Sequence, residues 1–345
     1  MNIYEQRLRE FQRLLLKEKL DAYVVNRTLE QGFLTGFALD GYMLLVARAH
    51  SWVFLPEMLL EHFRSQVGFC EAQSTENLLE DSVSRISASG FKKVGFDPGT
   101  ETYQRGMFWK KKGLIEKPGL LACLRETKKG EEIGFLRKAC RIAAKAIKIT
   151  VPRIKPGRTE RSVALELEHL MQKMGAKGPS FDTIIGSGPN SALPHHVTSD
   201  RIIKRNEPVL IDFGCVYKGY HSDITRTFFI GKPDACFKKV YGIVEKAQKA
   251  GLKKVKSGTF ARAVDKACRD YIAGEGYGQH FIHGTGHGIG LEIHESPRLA
   301  VKSKSVLKSG MTVTVEPGIY LQGKFGVRIE DSVLVTKTGC EILTR

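Results

Sequence analysis

Residues 208–231 read PVLIDFGCVYKGYHSDITRTFFIG, two strand-forming runs with a carboxylate set into each, Asp212 and Asp223. β-Branched and aromatic residues suit a half-buried pleated strand, and an aspartate inside such a run is out of place unless something compensates it. With Tyr217 and Lys218 as the turn, Asp212 lies directly opposite Asp223 and both carboxylates leave one sheet face. That arrangement suits a divalent cation, because isolated charge in an apolar sheet is heavily penalised. Taken alone, the segment also fits two ordinary acids near a turn.

Two later segments weigh against that plainer reading. HFIHGTGHGIGLEIHE, residues 280–295, sets His280, His283, His287 and His294 among Gly284, Gly286, Gly288 and Gly290. Such glycine density disfavours a regular helix and lets backbone approach a ligand closely. It is not a zinc HExxH motif, since Gly284 follows His283 and the helical frame is missing. Glu316 in MTVTVEPGIY (311–320) and Glu330 in FGVRIED (325–331) each end a strand-like run. If these strands meet across a loop centred on Gly323, the two glutamates are opposed. Asp212, Asp223, Glu316, Glu330 and one imidazole of the histidine segment then form a set able to hold two divalent ions and lower the pKa of a shared water.

The rest of the chain frames this set. It has 345 residues, 42% of them hydrophobic, which fits two ordinary domains each with a core. Apolar runs are short: LLACL ends at Arg125 and VLI at Asp212, far from the roughly 20 apolar residues of a membrane span. No membrane partner is expected, and MNIYEQRLRE has neither the apolar stretch of an export signal nor the acid-poor character of a transit peptide, so the expected location is the cytoplasm. Seven cysteines with no CxxC pair read as buried thiols. The net charge of +17 raises nucleic acid as a partner, and Lys110, Lys111 and Lys112 follow Trp109; a solvated helix end or loop is the favoured reading there.

Leu8, Phe11 and Leu15 mark a helix over residues 3–19, followed by strands at DAYVV, on either side of His50 and at KVGFD, with a helix over Thr75–Ile86. This alternation predicts a small N-terminal α/β domain, residues 1–128. Tyr42 and Trp52 read as core aromatics. Ile133, Leu136, Cys140, Ala143 and Ile147 then define the first helix of a second domain, residues 129–345. Thr159 caps another helix ended by Gly175, and a third spans roughly 235–256.

IDFGCVYKGYHSDITRTF, HGTGHGIGLEIHE, TVEPGIY and VRIED resemble blocks of the metallopeptidase family that contains proline dipeptidases, Xaa-Pro aminopeptidases, methionine aminopeptidases and creatinase. The resemblance runs from about residue 130 to 345, and SGPNSALPHH, with His195, is most similar to the proline-peptidase branch. It implies a C-terminal pita-bread catalytic domain behind a smaller creatinase-type α/β domain, an α/β (α+β) chain that assembles as a homodimer. It makes Asp212 a bidentate ligand of one ion, Asp223 and Glu330 bridging ligands, and His287 and Glu316 ligands of the other. It gives His195, His283 and His294 roles in orienting substrate or stabilising the intermediate, and Glu316 one in proton transfer. His196 is expected to point away, and Arg328 either orients a carboxylate at the site's edge or forms a structural salt bridge.

The implied activity is hydrolysis of the bond preceding proline at the N-terminus of small unblocked peptides, an Xaa-Pro aminopeptidase. Two divalent ions per chain are expected, Mn2+ first, with Zn2+ or Co2+ as alternatives. The competing readings are an Xaa-Pro dipeptidase (prolidase), a methionine or general aminopeptidase, creatine hydrolysis, and a non-catalytic binding protein on the same scaffold.

Overall fold

The computed structural model describes residues 2–345, which divide into two compact units, one ending at Leu124 and one running from Arg125 to Arg345. The sequence placed the division near residue 128.

The N-terminal unit is built on one mixed sheet of β1 (Ala22–Val25), β2 (Met43–Ala47), β3 (Ser51–Leu55), β4 (Glu71–Ser74), β5 (Val94–Phe96) and β6 (Ile115–Glu116), in the order β4-β3-β2-β1-β5-β6. The helix Ile3–Lys17 buries Leu8, Phe11 and Leu15, the predicted stripe. Tyr42, Trp52 and Trp109 are buried. Trp109 bonds to Glu101 within the fold, so the lysines after it are the end of the helix Tyr103–Lys111 and its extension rather than half of an aromatic platform.

The C-terminal unit carries β7 (Gly178–Pro179), β8 (Ile184–Ser187), β9 (Glu207–Phe213), β10 (Cys215–Tyr217), β11 (Tyr220–His221) and β12 (Ile224–Ile230). Its second half adds β13 (Gly286–Gly288), β14 (Glu295–Leu299), β15 (Thr312–Val315), β16 (Gly318–Leu321), β17 (Phe325–Arg328), β18 (Asp331–Val335) and β19 (Cys340–Ile342). Two helix pairs cover these strands. Gly130–Thr150 and Glu160–Lys173 share a core with β8, β9 and β12, through residues such as Ala143, Leu167, Ile211 and Phe213. Ala235–Leu252 and Ala261–Gly274 share another with β15, β17 and β18, through Val244, Val264, Val313 and Val333. This is the pita-bread arrangement, and each half buries an apolar face that neither helices nor sheet cover alone. The helix Ala261–Gly274 escapes the sequence reading, although Ala261, Val264, Cys268 and Ile272 recur at three and four residues and are buried on one face.

β12 joins the halves. Glu330 N–H donates to Thr225 O at 3.1 Å, Thr227 Oγ1 to Arg328 O at 2.9 Å, and Arg226 Nη2 to Asp331 Oδ1 at 2.7 Å. The carboxylate-bearing strands therefore meet along one seam. Among the described residues no helix is long and apolar enough to cross a membrane.

Candidate metal centre

The turn between β10 and β11 differs from expectation. Tyr217 pairs with Tyr220, leaving Lys218 (φ 51°) and Gly219 (φ 84°) as the two-residue turn. Left-handed conformations at both positions match the twist of a tight hairpin, and glycine accepts them more readily than Tyr217 would. Asp212 consequently faces Thr225, not Asp223. The slip is two residues, so side-chain parity is preserved and Asp223 stays on the same side as Asp212. The second pair follows the predicted register: Val315 opposes Asp331 and Gly318 opposes Arg328, which sets Glu316 against Glu330 between them.

Asp223, His287 and Glu330 offer ligand atoms that all lie within 4.8 Å of one another. Glu316 Oε1 is 3.4 Å from His287 Nε2, and Asp223 Oδ2 is 3.5 Å from it. His287 Nδ1 sits 3.0 Å from Gly288 O, a contact that only an Nδ1–H can make favourable. Its Nε2 then faces two carboxylate oxygens, an arrangement that calls for a positive charge between them, which a divalent cation bound to the Nε2 lone pair would supply.

The carboxylates give the same result. Burial raises the Asp223 carboxyl well above its usual range, and Asp212 and Glu316 push it further; burial and the Asp223 charge do the same to Glu330. Burial also raises Asp212, with Arg328 opposing. Three buried oxygens, Asp212 Oδ1, Asp223 Oδ1 and Glu330 Oε1, have no hydrogen-bond partner among the described residues. Like charges this close cannot all ionise in protein alone, and orphaned buried oxygens are rare. The donor set, four carboxylates and an imidazole, fits divalent metal.

One cavity of about 460 Å³ is lined by His195, Asp212, Asp223, His283, His287, His294, Glu316, Arg328 and Glu330, every site residue expected from the sequence. His280 does not line it and lies in a short turn at the surface. His196 turns away to Glu160 at 2.8 Å. Arg328 is buried and fully engaged: it pairs with Asp212, donates from Nε to Thr225 Oγ1 (3.0 Å), and from Nη1 to Tyr320 OH (2.9 Å) and Pro194 O (3.3 Å). It orients Asp212.

His283 behaves differently from the other two histidines. Its Nδ1 lies 2.8 Å from Gly284 O and must donate there, so Nε2 accepts from Tyr320 OH at 2.8 Å, which in turn accepts from Arg328. Burial lowers the His283 pKa, in keeping with this neutral form. Both its ring nitrogens are committed to the protein. His294 packs edge-on against His287 with ring centroids 4.3 Å apart and, like His195, is exposed to the cavity.

Sequence reasoning missed Thr225, Tyr320, Asp182 and Arg298. Thr225 Oγ1 donates to Glu330 Oε2 at 2.7 Å; its signal was its place opposite Asp212 once the turn is set correctly. Asp182 and Arg298 line the cavity, and their side chains make no hydrogen bond or ion pair among the described residues; nothing in their local sequence marks them. The glycines also act otherwise than expected. A Cβ on Gly286 would collide with Thr314 O and one on Gly288 with Ser296 O, so these glycines let β13 lie against its neighbours rather than against a ligand alone.

Residues 134–337 match the family described as Metallopeptidase family M24, and residues 7–126 the Creatinase/Prolidase N-terminal domain. An Xaa-Pro dipeptidase of Pyrococcus horikoshii is 36% identical over 100% of this chain and 98% of its own. Among solved structures, an Xaa-Pro dipeptidase from Bacillus anthracis superposes with a TM-score of 0.95 at 37% identity, covering 99% of this chain and 98% of that one. An X-Pro aminopeptidase from Thermotoga maritima does so at 0.88 and 32%, covering 96% and 97%. With matches spanning both units, and a carboxylate and histidine centre that calls for divalent metal ions, the chain belongs to metallopeptidase family M24.

Proposed function

We propose that this metallopeptidase hydrolyses the bond preceding proline in small peptides with a free amino terminus, and that Xaa-Pro dipeptides fit its site best. The observation that carries this is the presence on the cavity wall of two opposite charges, Asp182 and Arg298, neither hydrogen-bonded nor ion-paired among the described residues, which complement in sign the ammonium and carboxylate of a zwitterionic dipeptide. Phe181, Ile184 and Ile293 supply apolar wall for a ring that has no N–H to offer.

Asp212, Asp223, His287, Glu316 and Glu330 would hold two divalent ions, with Mn2+ preferred over Zn2+ or Co2+ for a set so rich in carboxylate oxygen. Such ions polarise a carbonyl and lower the pKa of water. The chain's own groups do the rest. Asp182 and Arg298 fix the two ends of the substrate. Glu316 takes a proton from the attacking water and returns it to the prolyl nitrogen as the C–N bond breaks. His195 and His294, whose rings face the cavity, donate to the developing oxyanion, while His283 holds Tyr320 and through it Arg328. The cytoplasm is the setting we propose, from the short, charge-interrupted apolar runs of the sequence, and a homodimer the assembly, from the sequence resemblance.

The second reading is the Xaa-Pro aminopeptidase expected from the sequence, and one feature favours it: His294 and Arg298 are exposed, so the cavity meets solvent beside them and leaves room for a longer peptide. A panel of Ala-Pro, Ala-Pro-Ala, Ala-Ala and N-acetyl-Ala-Pro, with products identified by mass, decides. Preference for Ala-Pro supports the dipeptidase and preference for Ala-Pro-Ala the aminopeptidase. Equal cleavage of Ala-Ala and Ala-Pro would reject both.

A further inference from the structure

Glu160, the partner of His196, opens a helix well before the cavity residues in sequence, yet its carboxylate is buried and saturated with donors. Oε1 accepts from Ser187 N (2.8 Å), Ser187 Oγ (2.7 Å) and Asn190 Nδ2 (3.0 Å). Oε2 accepts from His196 Nε2 (2.8 Å), Ser199 N (3.2 Å) and Ser199 Oγ (2.6 Å). A carboxylate has about four lone-pair sites, so this one is filled, and it stands at the first turn of the helix Glu160–Lys173, where negative charge is favoured.

The donors are not scattered. They come from both ends of residues 187–199, so one carboxylate staples the two feet of a loop. At the loop's tip, His196 N–H bonds to Leu193 O at 3.1 Å, closing a turn with Pro194 and His195 at its centre. Pro194 O is held from the other side by Arg328, and Gly326 N–H donates to Ser191 Oγ at 2.9 Å. His195 thus projects into the cavity from a turn whose next residue is anchored to Glu160.

We propose that Glu160, acting through His196 and the loop 187–199, is a positioning residue that holds the His195 ring at its place in the cavity. The proposal deepens the function proposed above and rests on it for the role of His195. His196 is the direct link: because a carboxylate only accepts, its Nε2 carries the proton and its ring is fixed edge-on to Glu160, which sets the direction of its neighbour.

Glu160→Gln keeps the volume but turns an amide N–H against an obligate donor whichever way it lies, Ser187 N–H at one oxygen's place or Ser199 N–H at the other's. It should lower kcat/KM for Ala-Pro on the order of 100-fold, the loss typical of a group displaced by about 1 Å, with metal content unchanged. In a His195→Ala background the same substitution should cost no more than about twofold, because the positioned group is gone. His196→Ala should show a smaller loss of the same kind, and His196→Gln, which retains an N–H of similar reach, should recover most of it. Glu166→Gln, on the same helix but paired with Arg153 and Arg158, is the control that should change nothing.

A second readout does not depend on turnover. In zinc-loaded protein with labelled histidine, the His195 ring signals should shift in Glu160→Gln while those of His283 stay put. If the parent chain proves inactive on Ala-Pro, the function fails and the ring signals still judge the positioning. Unmoved His195 signals, or an equal loss of activity in both backgrounds, would overturn it. Should Glu160→Gln not fold, the two His196 variants carry the same test.

Discussion

Replacing Arg298 by alanine tests the proposed hold on the carboxylate end of a short substrate. Arg298 lines the cavity, is exposed and has no hydrogen-bond partner among the described residues, so its removal leaves no buried group orphaned there and no large stability cost. A hydrogen bond between charged groups contributes about 1.5–3 kcal/mol, and the exposure of Arg298 argues for the lower end because water competes there. About 1.5 kcal/mol corresponds to a little over tenfold in kcat/KM. The loss should appear with Ala-Pro, whose carboxylate the arginine would hold, and be within about twofold for Ala-Pro-amide, which has none. Initial rates on both substrates, with parent and variant at equal metal occupancy, give the four numbers required. An equal fall on the two substrates would refute the reasoning, since the arginine would then act on the fold or the metal centre rather than on the substrate's end.

Asp223→Asn should lose metal and turnover together while circular dichroism stays unchanged, because the amide cannot supply the anionic oxygen facing His287 and Glu330; unchanged metal content would remove Asp223 from the centre. Lys128 and Glu295 form an ion pair whose side chains are 2% and 5% exposed, so Lys128→Met should destabilise by about 3 kcal/mol in urea unfolding, the low end for a broken buried pair because Arg125 also lies 3.9 Å from Glu295. A shift below about 0.5 kcal/mol would mean that water already screens the pair. Glu160 offers a test in acid. Burial pushes its carboxyl up, but hydrogen bonds from Ser199, His196 and Ser187 more than offset this and leave it below the ordinary glutamate range. A lowered folded pKa stabilises above the unfolded value and is lost as pH falls through the folded one. In metal-free protein the stability gap between parent and Glu160→Gln should therefore be full near neutrality and narrow below about pH 5; a gap that widens in acid would contradict the assignment.

Much of this was readable in advance where a local pattern carries a local cause. The stripe Leu136, Cys140, Ala143 and Ile147 is buried on one helix face, and Thr159 caps the next helix through Ser162 N. The seam at Glu316 and Glu330 follows from simple pairing about Gly323. Placing the turn at Tyr217-Lys218 failed because strand propensity says nothing about which residue accepts a positive φ, whereas Gly219 does. Asp182 and Arg298 were illegible for another reason. Each is an ordinary surface-type residue in sequence, and only the fold, which brings the segment before β8 and strand β14 to the wall of one cavity, puts them in the same site. Glu160 was hidden likewise, since a glutamate after a capping threonine looks like helix punctuation until the loop from Ser187 to Ser199 closes on it.

The central claim is that this cluster of carboxylates and imidazole works only with divalent metal and works on the bond before proline. Purified chain, stripped by exhaustive chelation and then titrated with Mn2+, should regain Ala-Pro hydrolysis in step with bound metal, saturating at about two ions per chain by elemental analysis. Full Ala-Pro hydrolysis by chain verified to be free of metal would contradict it.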